Sequence, residues 1–367
     1  MNIVINAVLA NPQPRGVGRY INNLIPELAK LDKENNYYIY YGSWMKRYSF
    51  LQTKQDNFRF EELRISNNRF IRNIYLSLLL PLRVEKHKPD LFFLIDTQAI
   101  LVKPCKIIST IHDLAEFETK EKYSLKHAAI RKAIVRHQVL LSDFIITDSF
   151  YSMRDIQKRF DVKDNKLCVI YISTECKNEK PLAPKDYFLF VSETERAKNL
   201  MGLIDAYDTL PKELKEKYKI SVVGKKGNDY SNIIRKIKEK NIEDKITFYG
   251  YLTDDELELL YREAFIFIFP SFFEGFGLPV LEAMSKGTPV ICSNAASIPE
   301  VGGDAVLTFD PYDTNDLADK IIQICTTEGL REDLIKRGLE RASQFTGERF
   351  ARDTIEAFNK AVLSKNG

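Results

Sequence analysis

The sequence contains little cysteine and no apolar run long enough to span a membrane. Its five cysteines are an odd number without a C-x-x-C pair, which argues against a disulfide framework or a zinc site and fits a reducing cytosol. The longest strongly apolar run, residues 74–82, is far shorter than the about 20 residues that a spanning helix needs. Residues 1–10 lack a positively charged start, so we expect a first strand there and not a signal peptide.

Motifs of several common function classes are also missing. The sequence has no H-E-x-x-H motif, no cysteine cluster and no Asp-x-Asp at a strand end, so we predict that the protein needs no metal. Gly16 and Gly18 follow the first predicted strand, but Ile21 stands where a dinucleotide-binding fingerprint needs its third glycine. The basic residues are spread without a recognised nucleic-acid module, so we expect no nucleic-acid partner.

The small net charge of +3 conceals an uneven distribution of charge. Residues 1–180 carry 29 lysines and arginines against 20 acidic residues, whereas residues 181–367 carry 25 against 31. With 44% apolar and 29% charged residues, the composition is that of a soluble globular protein. The basic half therefore predicts an anionic partner, either an acceptor that bears a lipid pyrophosphate or an anionic membrane surface.

Short β-branched runs alternate with helical periodicity, which predicts an α/β fold with parallel sheets covered on both faces. The length suggests two domains, residues 1–180 and 181–367, divided within the polar, proline-containing stretch 175–185. We leave open whether the last helix, from about Glu348, packs back on the first domain. Twelve strands are predicted: Ile3–Val8, Tyr37–Tyr41, Leu91–Ile95, Ile107–Ile111, Phe144–Thr147, Cys168–Ile170, Phe188–Val191, Ile220–Val223, Ile246–Phe248, Phe265–Phe269, Pro289–Cys292 and Val306–Phe309.

Residues 69–88 mix apolar residues with arginines and lysines at helical spacing. This pattern has two interpretations. One is a helix that lies on a membrane surface, and the other is an ordinary domain helix with one buried face and solvated basic residues.

Residues 269–292 form the most informative segment, with the pattern strand, loop, helix and strand. The loop Glu274-Gly-Phe-Gly277 lets the backbone approach a ligand closely, and Pro279 suits the first position of a helix. Free N–H groups at that helix start form an anion site. Glu274 and Glu282 flank this site and suit hydroxyl groups, so the segment predicts a nucleotide sugar. Taken singly, either glutamate is better explained as a helix-dipole partner or a solvated residue, but the whole segment is not.

The segment from Glu274 to Glu282 resembles the E-x7-E signature of retaining glycosyltransferases of family four, which have the GT-B fold. The resemblance implies two Rossmann-like, doubly wound domains facing across a cleft, and transfer of a hexose from a nucleotide-diphosphate sugar. It implies that Glu274 contacts hydroxyls of the donor sugar and that Glu282 holds the ribose. It also implies donor contacts from the backbone N–H groups of Gly275, Phe276, Gly277 and Leu278.

A second segment of the resemblance, residues 191–200, implies a cation for the diphosphate. Lys198 stands in the position of the family's lysine, but Ala197 replaces the usual arginine and Ser192 a usual glycine. Arg196, one residue earlier, is either a substitute for that arginine or a solvated side chain. The resemblance also places His112, after the strand 107–111, at the donor sugar; a lone histidine is otherwise more often structural.

The remaining candidate residues lie after two other strands. The resemblance implies backbone contacts of Gly16 and Gly18 near the donor phosphates, and contacts of Arg15 or Arg19 with the acceptor. It further implies that Gly224 and Lys225 lie near the nucleotide. Ordinary solvated arginines and lysines explain the charged members of this set equally well.

The expected reaction is retaining transfer by front-face attack, in which the leaving diphosphate helps to take the acceptor's proton. The expected acceptor is a glycan or a polyprenyl-diphosphate-linked glycan in bacterial cell-surface polysaccharide synthesis. We expect a cytoplasmic protein, with peripheral contact to the inner face of the membrane. Two alternatives remain: a sugar-nucleotide 2-epimerase and a non-catalytic partner subunit that binds a nucleotide sugar.

Overall fold

The computed structural model describes residues 1–14, 16–118, 125–174 and 182–363. These residues divide into two compact units. The first unit holds residues 1–117 and 125–173 together with the last helix, from residue 345. The second unit consists mainly of the stretch from Thr174 to Gln344. The predicted boundary at residue 180 falls within residues 175–181, which lie outside the described residues.

The first unit is built on a sheet of seven parallel strands in the order β3-β2-β1-β4-β5-β6-β7. Its central strands are almost wholly buried, because helices cover both faces of a parallel sheet. The strands are β1 Asn2–Asn6, β2 Asn36–Gly42, β3 Phe58–Leu63, β4 Leu91–Leu94, β5 Lys106–Thr110, β6 Phe144–Thr147 and β7 Leu167–Val169.

Strand β3 is the one strand of this sheet that the sequence analysis missed. Its sequence, Phe58-Arg-Phe-Glu-Glu-Leu63, carries three charged residues in six. It pairs with β2 at the edge of the sheet, where one side faces solvent and charged residues are tolerated. The pattern of apolar runs therefore found the buried strands and overlooked this edge strand.

The helices of this part of the chain are α1 Val17–Leu31, α2 Arg69–Ile74, α3 Leu80–Val84, α4 Ala115–Glu118, α5 Leu125–Leu141 and α6 Phe150–Phe160. Helix α1 buries Tyr20, Ile21 and Leu24, which recur at three- and four-residue spacing as the periodicity predicts. A π-helical turn, Tyr75–Leu79, joins α2 to α3, so residues 69–84 form one nearly continuous helical segment.

The second unit contains six parallel strands in the order β10-β9-β8-β11-β12-β13. The strands are β8 Lys185–Val191, β9 Lys219–Val223, β10 Ile246–Gly250, β11 Ala264–Phe269, β12 Val290–Ser293 and β13 Leu307–Phe309. The helices are α7 Leu200–Thr209, α8 Lys212–Lys217, α9 Tyr230–Glu239, α10 Asp254–Glu263, α11 Leu278–Ser285, α12 Ile298–Gly302, α13 Thr314–Thr326 and α14 Leu330–Ala342.

The order of these strands locates the expected ligand site of the second unit. The chain winds outward from β8 in one direction to β9 and β10, and from β11 in the other direction to β12 and β13. Such a switch point opens a crevice at the carboxyl ends of the two central strands, where ligands bind in open α/β sheets. The loops that begin at residues 192 and 270 follow these two strands.

The last helix, α15 Gly347–Leu363, packs on the first unit. The ring of Phe350 meets that of Tyr20 in α1 at 4.9 Å between centroids, and Phe358 meets Phe93 in β4 at 5.2 Å. This is the arrangement that the sequence analysis left open. None of the helices within the described ranges is long and apolar enough to cross a bilayer.

Candidate active site

Lys198 is held at the carboxyl edge of the second sheet by the turn that follows β8. Directly after it, Asn199 adopts a left-handed backbone conformation (φ 55°), and its side chain accepts a hydrogen bond from Gly202 N–H at 3.1 Å. The same side chain donates to the carbonyl of Pro311 at 3.0 Å. Asn199 therefore caps α7 and ties the turn to the loop after β13, which leaves Lys198 in a defined position.

The loop after β8 also interlocks with the loop after β9. Thr194 N–H donates to the Lys225 carbonyl at 3.0 Å, and Gly227 N–H donates to the Thr194 hydroxyl at 2.8 Å. Gly224 has φ 145°, and a Cβ atom there would lie 1.9 Å from the carbonyl oxygen of Ser192. Only glycine fits this close crossing of the two loops.

The loop after β11 brings Glu274 to Lys198. Phe272 N–H donates to the Ala197 carbonyl at 2.9 Å, which joins the two central loops of the unit. Ser297 then fixes the far side of this loop, because its hydroxyl reaches the carbonyls of Glu274 (2.8 Å) and Phe276 (3.0 Å). As a result Lys198 Nζ donates to Glu274 Oε1 at 2.6 Å, with both side chains less than a fifth exposed.

Helix α11 begins at Leu278, four residues after Glu274. Gly277, with φ 105°, is its N-cap residue, and Pro279 lies in the first turn. The residues Gly275–Leu278 thus lead into the positive end of a helix dipole, which favours an anionic ligand. Glu282 follows one turn later and is buried, and the hydroxyl of Tyr261 donates to its carboxylate at 3.3 Å.

Three neighbouring candidates differ in the direction that their side chains take. Ala197 is buried and Arg196 is exposed, whereas Lys198 turns toward Glu274. Alanine therefore suits position 197, where the side chain packs inside the unit. Lys225 is exposed, and the group that the loop engages is its carbonyl. The structure thus brings together Lys198, Glu274 and the start of α11, while Arg196 and Lys225 are exposed on the adjoining loops.

His112 follows β5 in the first unit and has both ring nitrogens bonded within that unit. Nε2 lies 2.9 Å from the carbonyl oxygen of Ile95, and it must donate because a carbonyl only accepts. Nδ1 lies 2.6 Å from Asp148 Oδ2. Burial opposes a charge on the ring, but the carboxylates of Asp148, Asp96 and Asp113 together outweigh burial and raise the pKa of His112 to about 9.

Asp148 is a site residue that the sequence analysis missed. It follows β6, the strand next to β5, and is buried beside His112. The ring of Tyr20 meets the His112 imidazole edge-on at 5.1 Å. A sugar hydroxyl would reach Nε2 of His112 only by replacing the Ile95 carbonyl, so the predicted sugar contact of His112 stays a prediction.

The candidates around the start of α1, Arg15 to Arg19, follow β1 at the first unit's ligand edge. Gly16 is exposed with φ 48° and caps α1, while Gly18 is buried. A Cβ on Gly18 would come within 3.0 Å of the Tyr48 hydroxyl, which donates to the Asn11 carbonyl at 2.9 Å. Gly18 therefore supports the packing of this loop. Arg19 is half-buried, and Arg15 lies outside the described residues.

No group of three or more His, Cys, Asp or Glu side chains that could hold a metal ion occurs within the described residues. The expectation of metal-independent chemistry stays a prediction. Lys198 and the start of α11 are the features of the second unit that suit an anionic ligand.

Two parallel-sheet α/β units, with a switch point in the second that suits an anionic ligand, are the architecture that the resemblance to glycosyltransferases implies. The chain belongs to glycosyltransferase family four. Its residues 14–174 match the family described as "Glycosyltransferase Family 4", and residues 173–341 match "Glycosyl transferases group 1". The chain is thus a glycosyltransferase, as the E-x7-E segment predicts.

Two curated relatives from Escherichia coli carry mannosyltransferase names. O-antigen chain mannosyltransferase B is 32% identical over 266 residues, which span 69% of this chain and 70% of that protein. Serotype-specific mannosyltransferase WbdA is 29% identical over 71% of this chain but only 34% of its own greater length.

Solved structures confirm the predicted GT-B fold. Sucrose-phosphate synthase from Thermosynechococcus elongatus superposes with a TM-score of 0.78 at 19% identity, and covers 99% of this chain and 100% of that one. Anabaena Alr3699/HepE in complex with UDP and glucose superposes with a TM-score of 0.74 at 17% identity, and the match covers 98% of this chain and 99% of that one. The comparisons support neither the epimerase nor the non-catalytic subunit.

The His112–Asp148 pair makes a prediction for the titration of His112. In the wild type, the imidazole NMR signal of His112 is expected to titrate near pH 9. In Asp148→Asn it is expected to titrate at a clearly lower pH, because burial, which lowers the pKa, is then opposed only by the carboxylates of Asp96 and Asp113. The other three histidines serve as internal controls for the fold, and His112→Asn assigns the signal. A wild-type His112 that titrates near 6.5 contradicts the paired geometry.

The Lys198–Glu274 pair makes a second prediction, for binding of the free nucleoside diphosphate. By calorimetry, Lys198→Met is expected to bind it at least tenfold more weakly, because the cation is lost. Glu274→Gln is expected to bind it as tightly or more tightly, since the carboxylate no longer competes for Lys198. Lys212→Met, an exposed lysine of the same unit, is the control. Unchanged binding by Lys198→Met would show that the phosphates lie elsewhere.

Proposed function

We propose that this glycosyltransferase moves a mannosyl residue from a nucleotide-diphosphate sugar to the acceptor of a bacterial cell-surface polysaccharide, with retention of configuration. The observation that carries the proposal is the Lys198–Glu274 pair beside the start of α11. The names of the curated relatives support mannose as the sugar and an O-antigen type of polysaccharide as the product.

The leaving diphosphate is the group that the second unit is suited to stabilise. In the proposed complex, Lys198 Nζ and the N–H groups at the start of α11 meet the phosphate charge that develops as the sugar departs. Gly275, Phe276, Gly277 and Leu278 carry these backbone donors. Stabilisation that grows with the developing charge lowers the barrier and does not merely tighten binding.

The two glutamates are proposed to bind hydroxyl groups on either side of the diphosphate. Glu274, released from Lys198 as the phosphate takes over that cation, accepts hydrogen bonds from the sugar. Glu282 accepts from the ribose, and the Tyr261 hydroxyl, 3.3 Å from its carboxylate, orients it. Gly224 and the Lys225 backbone form the neighbouring wall at the nucleotide.

The chemical step needs no protein nucleophile. The bond from the anomeric carbon to the phosphate oxygen breaks, and the acceptor oxygen forms its bond on the same face. The acceptor's proton passes to an oxygen of the leaving diphosphate, which conserves atoms and charge. His112 would orient the sugar as a hydrogen-bond donor through Nε2, with a sugar hydroxyl replacing the Ile95 carbonyl as its acceptor, a role that fits the raised pKa of the imidazole. We further propose that Lys198 and the amides replace a metal ion.

The acceptor is proposed to be a glycan or a polyprenyl-diphosphate-linked glycan that meets the first unit. Gly16, Gly18 and Arg19 lie at that unit's ligand edge, together with Arg15 in the sequence. The excess of basic residues in the first half suits an acceptor with a pyrophosphate group. The enzyme would then work in the cytoplasm, in peripheral contact with the inner face of the membrane.

A panel of GDP-, UDP- and dTDP-sugars tests the proposed donor. A mannose nucleotide at 100 times its Kd is expected to raise Tm by several degrees, because it binds the folded state alone. The same donor should release nucleoside diphosphate only when acceptor is present, with or without EDTA. Turnover of the donor without acceptor would indicate an epimerase. A loss of activity in EDTA that Mg²⁺ restores would overturn the proposed metal independence.

A further inference from the structure

The helical segment of residues 69–84 in the first unit has two apolar faces. One face is buried, where Leu76, Leu80 and Val84 pack with Val4 and Phe92 of the sheet. A helix on the surface of a globular domain needs only one such face. The second apolar face therefore requires a separate explanation.

The second face is exposed to solvent. Phe70 is 73% exposed, and the other large apolar side chains on this face range from 38% to 51%. Its members are Phe70, Ile71, Ile74, Leu78, Leu79 and Leu82, which we call the apolar face. Leu101 extends it, because its N–H donates to the Ser77 carbonyl at 2.9 Å and its side chain is 62% exposed. A contiguous surface of this kind marks an interaction site.

Basic residues lie at both ends of the apolar face, with one exposed acidic residue, Glu85, among those at the second end. Arg69 and Arg72 lie at its start, and no acidic residue occurs between Arg69 and Val84. Arg83 and Lys86 follow, and both approach Glu61, at 3.8 and 2.7 Å. Lys88 is exposed at the end of the segment. An apolar face framed by cations fits an anionic lipid surface, whereas a second copy of this chain would present the same positive charge.

The segment begins at the ligand edge of its unit. The Asn67 side chain, just before α2, donates to the Ala10 carbonyl at 3.1 Å, and Ala10 lies in the loop after β1. Arg72 in turn donates to the Asn67 carbonyl at 3.0 Å. Contact of the apolar face with a bilayer would thus bring this edge of the first unit to the lipid headgroups.

We propose that the apolar face of residues 70–82 docks on an anionic lipid bilayer, with Phe70, Ile71 and the leucines entering the headgroup region and the flanking basic residues on the phosphates. This inference extends the proposed function, whose acceptor is lipid-linked. It identifies by residue the surface that carries the peripheral contact.

Co-sedimentation with vesicles tests the proposal, with phosphatidylcholine alone or mixed with phosphatidylglycerol. The wild type is expected to bind the mixed vesicles at least tenfold more tightly than the neutral ones, and to lose most of that preference at high salt. The double variant Phe70→Ser/Leu79→Ser should bind at least tenfold more weakly. Both side chains are exposed, so the fold should be unaffected. The matched control is Leu259→Ser/Leu363→Ser, which removes two exposed leucines elsewhere.

Four outcomes decide the docking surface, and the last of them separates it from the proposed function. The docking surface is overturned if the double variant binds the mixed vesicles as tightly as the wild type does. It is also overturned if the wild type binds only the neutral vesicles. Concentration-dependent dimerisation without vesicle binding shows that the face meets a second copy and also overturns it. If the double variant loses vesicle binding but no mannose nucleotide stabilises either protein, the docking surface stands and the proposed donor fails.

Discussion

One backbone hydrogen bond joins the two central loops of the second unit, and the geometry of the site depends on it. Phe272 N–H donates to the Ala197 carbonyl at 2.9 Å, across the switch point between β8 and β11. The bond holds the residue beside Lys198 against the loop that carries Glu274. Without this junction the ion pair would consist of two flexible side chains on separate loops, and such a pair has little preferred geometry.

The neighbouring interactions support the same junction. Gly224 allows the loop after β9 to cross against Ser192, and Asn199 ties the turn to Pro311. Ser297 supports the opposite side of the Glu274 loop. Loops from five strands thereby converge on one edge of the sheet. Because a preorganised site does not reorganise when charge develops on a leaving group, this backbone framework would contribute to the catalysis that we propose.

The parts of the site that could be predicted lie close together in sequence. Glu274 and Glu282 belong to one loop and helix, so spacing alone indicates the anion site and its flanking carboxylates. Asp148 could not be found in this way. It is 36 residues from His112, and the two meet only because β5 and β6 are neighbours in the sheet. The contact between Tyr261 and Glu282 likewise depends on packing between elements.

The fold shows the same division between local and long-range information. Buried strands were predicted from their apolar runs, but the charged edge strand β3 was missed, and the return of α15 to the first unit was left undecided. For residues 69–88 the sequence allowed a buried or a membrane-facing helix. The structure shows that one apolar face is buried while the other remains exposed. The residue types alone do not tell which of the apolar side chains pack against the sheet.

A crystal structure with the nucleotide sugar that stabilises the protein tests the central claim most directly. We expect a diphosphate oxygen within hydrogen-bond distance of Lys198 Nζ and of the N–H groups at the start of α11, with Glu274 turned from Lys198 to a sugar hydroxyl. A diphosphate bound away from Lys198, with the 2.6 Å pair to Glu274 still in place, would contradict it.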